Sequence, residues 1–181
     1  MPFAILAPGY RQTPQQHIVI TMKALLEQAG FETAAVDWSV RSTPSKAFVA
    51  EFAQLREARD ALRGKRKAPL AYVGRSFGAR VCTRLALTDP PDALVLLGHP
   101  VSPVNKPRPE DEAALAAVTC PTFIVQGDHD LLGPLTVLEK IAKKNRHIEL
   151  VILPNTGHNF GKLEQQACEQ AAAWLSARLT K

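Results

Sequence analysis

Six short apolar runs, at residues 3–7, 33–37, 70–73, 93–97, 122–126 and 148–153, alternate with longer amphipathic stretches along this 181-residue chain. No other feature constrains the fold as tightly. The runs are nearly continuous in Val, Ile, Leu and Ala instead of alternating with polar residues, which is how strands covered on both faces look. Strand–helix–strand order implies parallel pairing through right-handed crossovers. The expectation is therefore an α/β fold, a three-layer α/β/α sandwich with a mostly parallel six-stranded sheet. Thr13-Pro14 and Thr43-Pro44 each read as a helix N-cap followed by a first-turn proline, and Gly30 and Gly64 as helix stops. Further helices are expected at 76–88, 135–144 and 163–179, with a short one after Glu110. Pro100, Pro103, Pro107 and Pro109 keep the stretch before it irregular. That stretch is too short for a large lid, so the expected pocket is shallow and open. No repeat or linker interrupts the pattern, and residues 1–181 read as one domain.

Composition narrows the function classes. Cys82, Cys120 and Cys168 are odd in number and widely spaced, which suits reduced thiols rather than a disulfide framework or a zinc site, and points to a cytoplasmic protein. The opening MPFAILAPGY lacks a basic region and a long apolar core, so it reads as a strand and not as a secretory signal. No apolar run approaches the ~20 residues of a membrane span. A net charge of +5 raises nucleic acid as a partner. However, the basic clusters RGKRK and KIAKKNRH lie where helices are expected to end, and cations are favoured there without any partner. The reading is no nucleic acid and no membrane. His99, His129 and His158 with two aspartates raise a metal, but no paired helical spacing supports one, so neither metal nor cofactor is expected.

In a parallel sheet, ligands meet the carboxyl ends of the strands. Three of those ends carry reactive side chains. VGRSFG follows the third run and sets Ser76 between Gly74 and Gly78; GDHD follows the fifth; PNTGH follows the sixth. A serine, an acid and a histidine thus arise in that order on one edge of the sheet, as nucleophilic acyl transfer requires. In such an elbow Ser76 adopts a strained backbone, Gly74 and Gly78 leave room for a close strand–helix crossing, and the Phe77 N–H points at a developing oxyanion. Asp128 and Asp130 compete for the acid. His158, after the last run, is the candidate base; His129 precedes that run and reads as a solvent-facing loop residue.

These motifs resemble the α/β-hydrolase fold superfamily, and the likeness runs from Phe3 to the last helix. LAPGYRQ, VGRSFGARV, LLGHPVSP, VQGDHDLLGP and NTGHNF stand where compact members without a cap, near the dienelactone-hydrolase and carboxylesterase branch, carry the oxyanion loop, elbow, next strand, acid loop and histidine loop. The resemblance implies strand order 2-1-3-4-5-6, selects Asp130 over Asp128 by its spacing, and makes the Tyr10 N–H the second oxyanion donor. Pro8 departs from the His-Gly common in that loop. Ser76, where dienelactone hydrolases use cysteine, points to ester or thioester chemistry. The implied activity is a serine hydrolase acting on a small-molecule acyl substrate through Ser76, His158 and Asp130. Acyl transfer and perhydrolysis with the same triad stay open, as does a binding or scaffold protein that keeps the fold without turnover.

His99 ends the strand beside the elbow and reads equally as pocket lining or packing. Arg75, with Arg11, Lys106 and Arg108, is a candidate for a cationic mouth. Asp37 reads as a loop carboxylate stabilising a turn.

Overall fold

The computed structural model describes residues 1–180. Its strands are β1 (Phe3–Ala7), β2 (Glu32–Ala35), β3 (Leu70–Arg75), β4 (Ala93–Leu97), β5 (Thr122–Gly127) and β6 (Ile148–Leu153). Its helices are α1 (His17–Gln28), α2 (Val49–Arg63), α3 (Phe77–Leu85), α4 (Pro109–Ala117), α5 (Leu135–Ala142) and α6 (Glu164–Leu179). The strands form one sheet in the order β2-β1-β3-β4-β5-β6, with every neighbouring pair parallel.

Period-two alternation along each strand supplies two separate cores. Phe3, Ile5, Leu70, Tyr72, Leu94 and Leu96 face one side, against α2, α3, α4 and α5. Ala4, Leu6, Ala71, Val73, Val95 and Leu97 face the other, against α1 and α6. All residues of β1, β3, β4 and β5 are buried, as continuous apolar runs require when both faces are covered. The fold is thus the three-layer α/β/α sandwich of the α/β-hydrolase type in a minimal form. Because every strand runs the same way, the loops after β1, β3, β4, β5 and β6 meet at one edge.

The helix starts differ from expectation. Thr13 does not cap α1: its Oγ1 accepts from the Gln15 N–H in a turn, and α1 begins only after Gln16. Gln16 is drawn instead toward the loop after β1, where its Oε1 accepts from the Gly9 N–H at 2.8 Å. Thr43 likewise precedes a 3₁₀ turn at Lys46–Phe48, and Ser45 does the capping, its Oγ accepting from the Ala50 N–H while Glu51 accepts from the Ser45 N–H. The second strand ends at Ala35, before the expected 37, because the chain past Val36 is carried off by a bond from the Trp38 N–H to Gln12 O. Asp37 stabilises a turn, accepting from the Ser39 N–H and Oγ.

α3 crosses β1 at very close range. A Cβ at Gly78 would sit 2.1 Å from Ala7 O, and the Gly78 N–H already donates to Pro8 O at 3.0 Å. Nothing there can yield, since the opposing atoms are backbone of a buried central strand. Gly78→Ala is expected to destabilise the fold by about 1–3 kcal/mol, as forced overpacking does. The midpoint of urea unfolding, with the slope unchanged, measures it.

Candidate active site

Ser76 joins β3 to α3 with φ 51° and ψ −111°, a left-handed conformation that a non-glycine residue rarely adopts. Such a residue costs on the order of 1–3 kcal/mol and persists only where its surroundings impose it. Here they do: the Ser76 N–H donates to Leu97 O at 3.0 Å, and its carbonyl accepts from the Ala79 N–H at 2.9 Å. The turn stands the side chain up at the sheet edge. Gly74 is required beneath it, because a Cβ there would lie 2.5 Å from the Ala79 Cα.

Three of the candidates named from the sequence come together. Ser76 Oγ lies 2.8 Å from His158 Nε2, and His158 Nδ1 lies 2.8 Å from Asp130 Oδ2. A carboxylate only accepts, so it holds the proton on Nδ1, and the Ser76 hydroxyl then donates to the Nε2 lone pair. The competition between the aspartates is decided by partners. Asp128 spends its two oxygens on the Asn155 and Thr156 N–H groups, both at 3.0 Å, and these bonds hold its carboxyl below the usual range. It anchors the start of the histidine loop. His129 is exposed, its side chain 69% accessible.

Asp130 is almost fully buried, at 3% exposure. Burial pushes its carboxyl upward, yet the hydrogen bond and charge of His158, with the Leu132 and Gly133 amides, outweigh it and leave it below the ordinary value. Gln126, which sequence reasoning passed over, completes this acid's surroundings. Its Nε2 donates to Asp130 Oδ2 at 2.7 Å and to Gly133 O at 3.0 Å, while its Oε1 accepts from the His99 N–H at 2.8 Å. A polar residue inside the otherwise apolar run of β5 was the signal.

Phe77 and Tyr10 flank the serine from two loops. Among the described residues, neither backbone N–H donates to a protein acceptor. The Phe77 N–H opens α3, where helical amides converge on negative charge. The Phe77 ring is held edge-on by Tyr10, Trp38 and Phe48, at centroid distances of 5.7, 5.9 and 5.5 Å. Tyr10, Trp38 and Phe77 wall a small pocket of about 10 Å³, which Arg11, Arg41 and Glu51 also line. Trp38 is pinned by its indole N–H donating to Pro8 O at 2.9 Å, so Pro8 contributes a carbonyl to this loop.

Of the two readings of His99, packing is the one its surroundings favour: it is fully buried, neither ring nitrogen has a partner, and burial together with Arg80 and Arg108 holds it neutral, down to about 3. It belongs to the packing under the 98–109 stretch. The expectation of Arg75 as a mouth cation requires correction. Arg75 is 5% exposed, and its donors go to Leu97 O, His158 O and Asn159 Oδ1. Position at a strand end cannot say which layer a long side chain enters; packing decides it. Among the described residues, no group of three or more His, Cys, Asp or Glu is placed to hold a metal ion, and no helix is long and apolar enough to cross a membrane.

With this geometry, residues 5–179 match the family described as the alpha/beta hydrolase domain. The chain belongs to that family. Solved structures share the fold of this α/β-hydrolase at low identity. Est1E from Butyrivibrio proteoclasticus, solved with ferulic acid, aligns with a TM-score of 0.82 at 16% identity, covering 100% of this chain and 90% of that one. An α/β serine hydrolase without lid from Xanthomonas campestris gives 0.78 at 20%, covering 99% and 83%. Dienelactone hydrolase from Anabaena variabilis gives 0.78 at 20%, covering 99% and 87%. A curated relative, an uncharacterized protein of Mycobacterium tuberculosis, is 30% identical over an alignment of 112 residues that covers 53% of this chain and 40% of the relative's own length.

The depressed Asp130 carboxyl makes a stability prediction with a definite sign. In the unfolded chain it protonates near its ordinary value of 3.8, and in the folded protein only below that. Its contribution is therefore complete above that value and is lost as pH falls through the folded one. Asp130→Asn is expected to flatten that part of the acid unfolding profile, read by urea midpoints from pH 5 downward to about pH 2.

Proposed function

We propose that this α/β-hydrolase cleaves small carboxylic esters or thioesters as a serine hydrolase with the triad Ser76, His158 and Asp130. The single observation that carries the reading is the continuous chain of bonds from Ser76 Oγ through His158 to Asp130, both links at 2.8 Å.

The chemistry follows from the placement. As Ser76 Oγ bonds to the acyl carbon, its proton passes to His158 Nε2, and the carbonyl oxygen becomes an oxyanion. The Phe77 and Tyr10 amides, free of protein acceptors, suit that charge. The imidazolium stays aligned because its Nδ1–H keeps donating to Asp130. Collapse breaks the bond to the leaving alkoxide or thiolate, which takes the proton from Nε2. His158 then removes a proton from water, which attacks the acyl-enzyme, and Ser76 is regenerated with release of the acid. The substrate is a small molecule that meets Ser76 at the sheet edge, beside the aromatic side chains of Tyr10, Trp38 and Phe77.

Labelling by a fluorophosphonate probe, with turnover of short p-nitrophenyl esters, tests this. Wild type is expected to label and turn over, and Ser76→Ala to abolish labelling and reduce kcat by about 10⁴-fold or more. Native protein that fails to label, or equal labelling of Ser76→Ala, removes the reading.

A further inference from the structure

We propose that Arg75, the residue before the elbow serine, is the positioning residue for His158: its guanidinium holds the histidine loop so that the imidazole meets Ser76. The inference rests on the hydrolase reading for what the imidazole does, but not for where it sits.

Arg75 is an unusual tenant for the end of a central strand. It is 95% withdrawn from water, and none of the ion pairs among the described residues includes it. A buried guanidinium without a carboxylate is costly, and burial lowers its pKa to about 10. What it does have is a set of neutral acceptors, two of them from the histidine loop. Nη2 donates to His158 O at 2.7 Å and to Asn159 Oδ1 at 3.0 Å, while Nη1 donates to Leu97 O at 3.2 Å. A planar fork with several fixed donors spans three acceptors on two segments in one rigid geometry, which the compact ammonium of a lysine does not reproduce.

The surroundings are shaped around this side chain. Gly98 has φ +62°, and a Cβ there would lie 2.3 Å from Nη1. The Phe160 ring lies 5.4 Å from the guanidinium carbon, and Phe160 itself takes a left-handed φ of 56°. The loop between β6 and α6 carries only a 3₁₀ turn, at Gly161–Leu163, so its form up to His158 depends on outside anchors. Asp128 holds its beginning, at Asn155 and Thr156; Arg75 holds its end, at His158 and Asn159. The imidazole hangs between the two anchors. Asp130 sets the rotation of the ring, and Arg75 sets where its backbone stands.

One contact ties the guanidinium to the chemistry as well as to the loop. Nη1 lies 3.4 Å from His158 Nε2, the nitrogen that faces Ser76 Oγ. A guanidinium has no acceptor, so it favours a lone pair on that nitrogen. That is the tautomer able to receive the serine proton.

The test compares Arg75→Met, Arg75→Lys and Asn159→Ala with wild type and Ser76→Ala. Three quantities are read: kcat and KM on p-nitrophenyl acetate, the thermal midpoint, and the low-field proton resonance of His158 Nδ1–H, assigned by its loss in His158→Gln. Arg75→Met is expected to lower kcat by about 10²-fold with KM little changed, since a displaced reacting group costs that much, and to shift or broaden the His158 resonance. Arg75→Lys is expected to recover the midpoint but neither kcat nor the resonance. Asn159→Ala removes one acceptor only and should cost about tenfold in kcat, which keeps the test decisive if Arg75→Met does not fold. Unchanged kcat and resonance in the folded variants would overturn the proposal, as would recovery of all three quantities by lysine. A wild type without Ser76-dependent turnover whose resonance still moves in Arg75→Met would fail the hydrolase reading and leave this positioning role standing.

Discussion

The near-contact of α3 with β1 at Gly78 is the constraint on which the remaining geometry depends. The helix approaches so closely that its second residue has no room for a Cβ against Ala7 O. With the helix there, β3 must turn sharply, and Ser76 is left in a backbone conformation that its amide and carbonyl bonds enforce. The same crossing brings the start of α3 beside the loop after β1. Phe77 and Tyr10 therefore become neighbours, and Trp38 is tied to the same loop through Pro8 O. Strain at one serine is thus maintained by packing spread over β1, β3, β4 and α3.

Parallel topology does the rest of the assembly. Since all strands point one way, side chains separated by some 80 positions meet without any domain closing over them: Ser76 from after β3, Asp130 from after β5, His158 from after β6. The electrostatics then divide by layer. Asp130 is buried but well supplied with donors, from His158, Gln126 and Leu132. Arg75 is buried and bound only to neutral acceptors. A negative charge and a positive charge thus sit on two sides of one imidazole, neither paired directly with the other.

How much was legible follows from the range of the forces involved. Burial on both faces leaves a mark on local composition, so β1 and β4 could be bounded from their apolar runs. The glycines around Ser76 were legible because only a missing Cβ permits such a crossing. Helix starts were less so. Thr13 and Thr43 have the right local chemistry for capping, yet a bond from Gly9 to Gln16 and the pairing of Ser45 with Glu51 moved both boundaries. Those partners lie in other segments or depend on how the chain turns, and no local pattern encodes them.

By itself the sequence determined the α/β alternation, the carboxyl-edge placement of Ser76, Asp130 and His158, and the elbow that presents the serine, because each of these depends on residue type at short spacing. Only the tertiary structure decided the surroundings: Gln126 behind the acid, Asp128 on the amides of the histidine loop, His99 sealed in the packing, and Arg75 turned inward onto the histidine loop instead of out to the mouth. The reason is geometric. Which layer a long polar side chain enters is decided by where space and unspent acceptors remain after the helices pack, and that is a property of the assembled layers, not of any one strand.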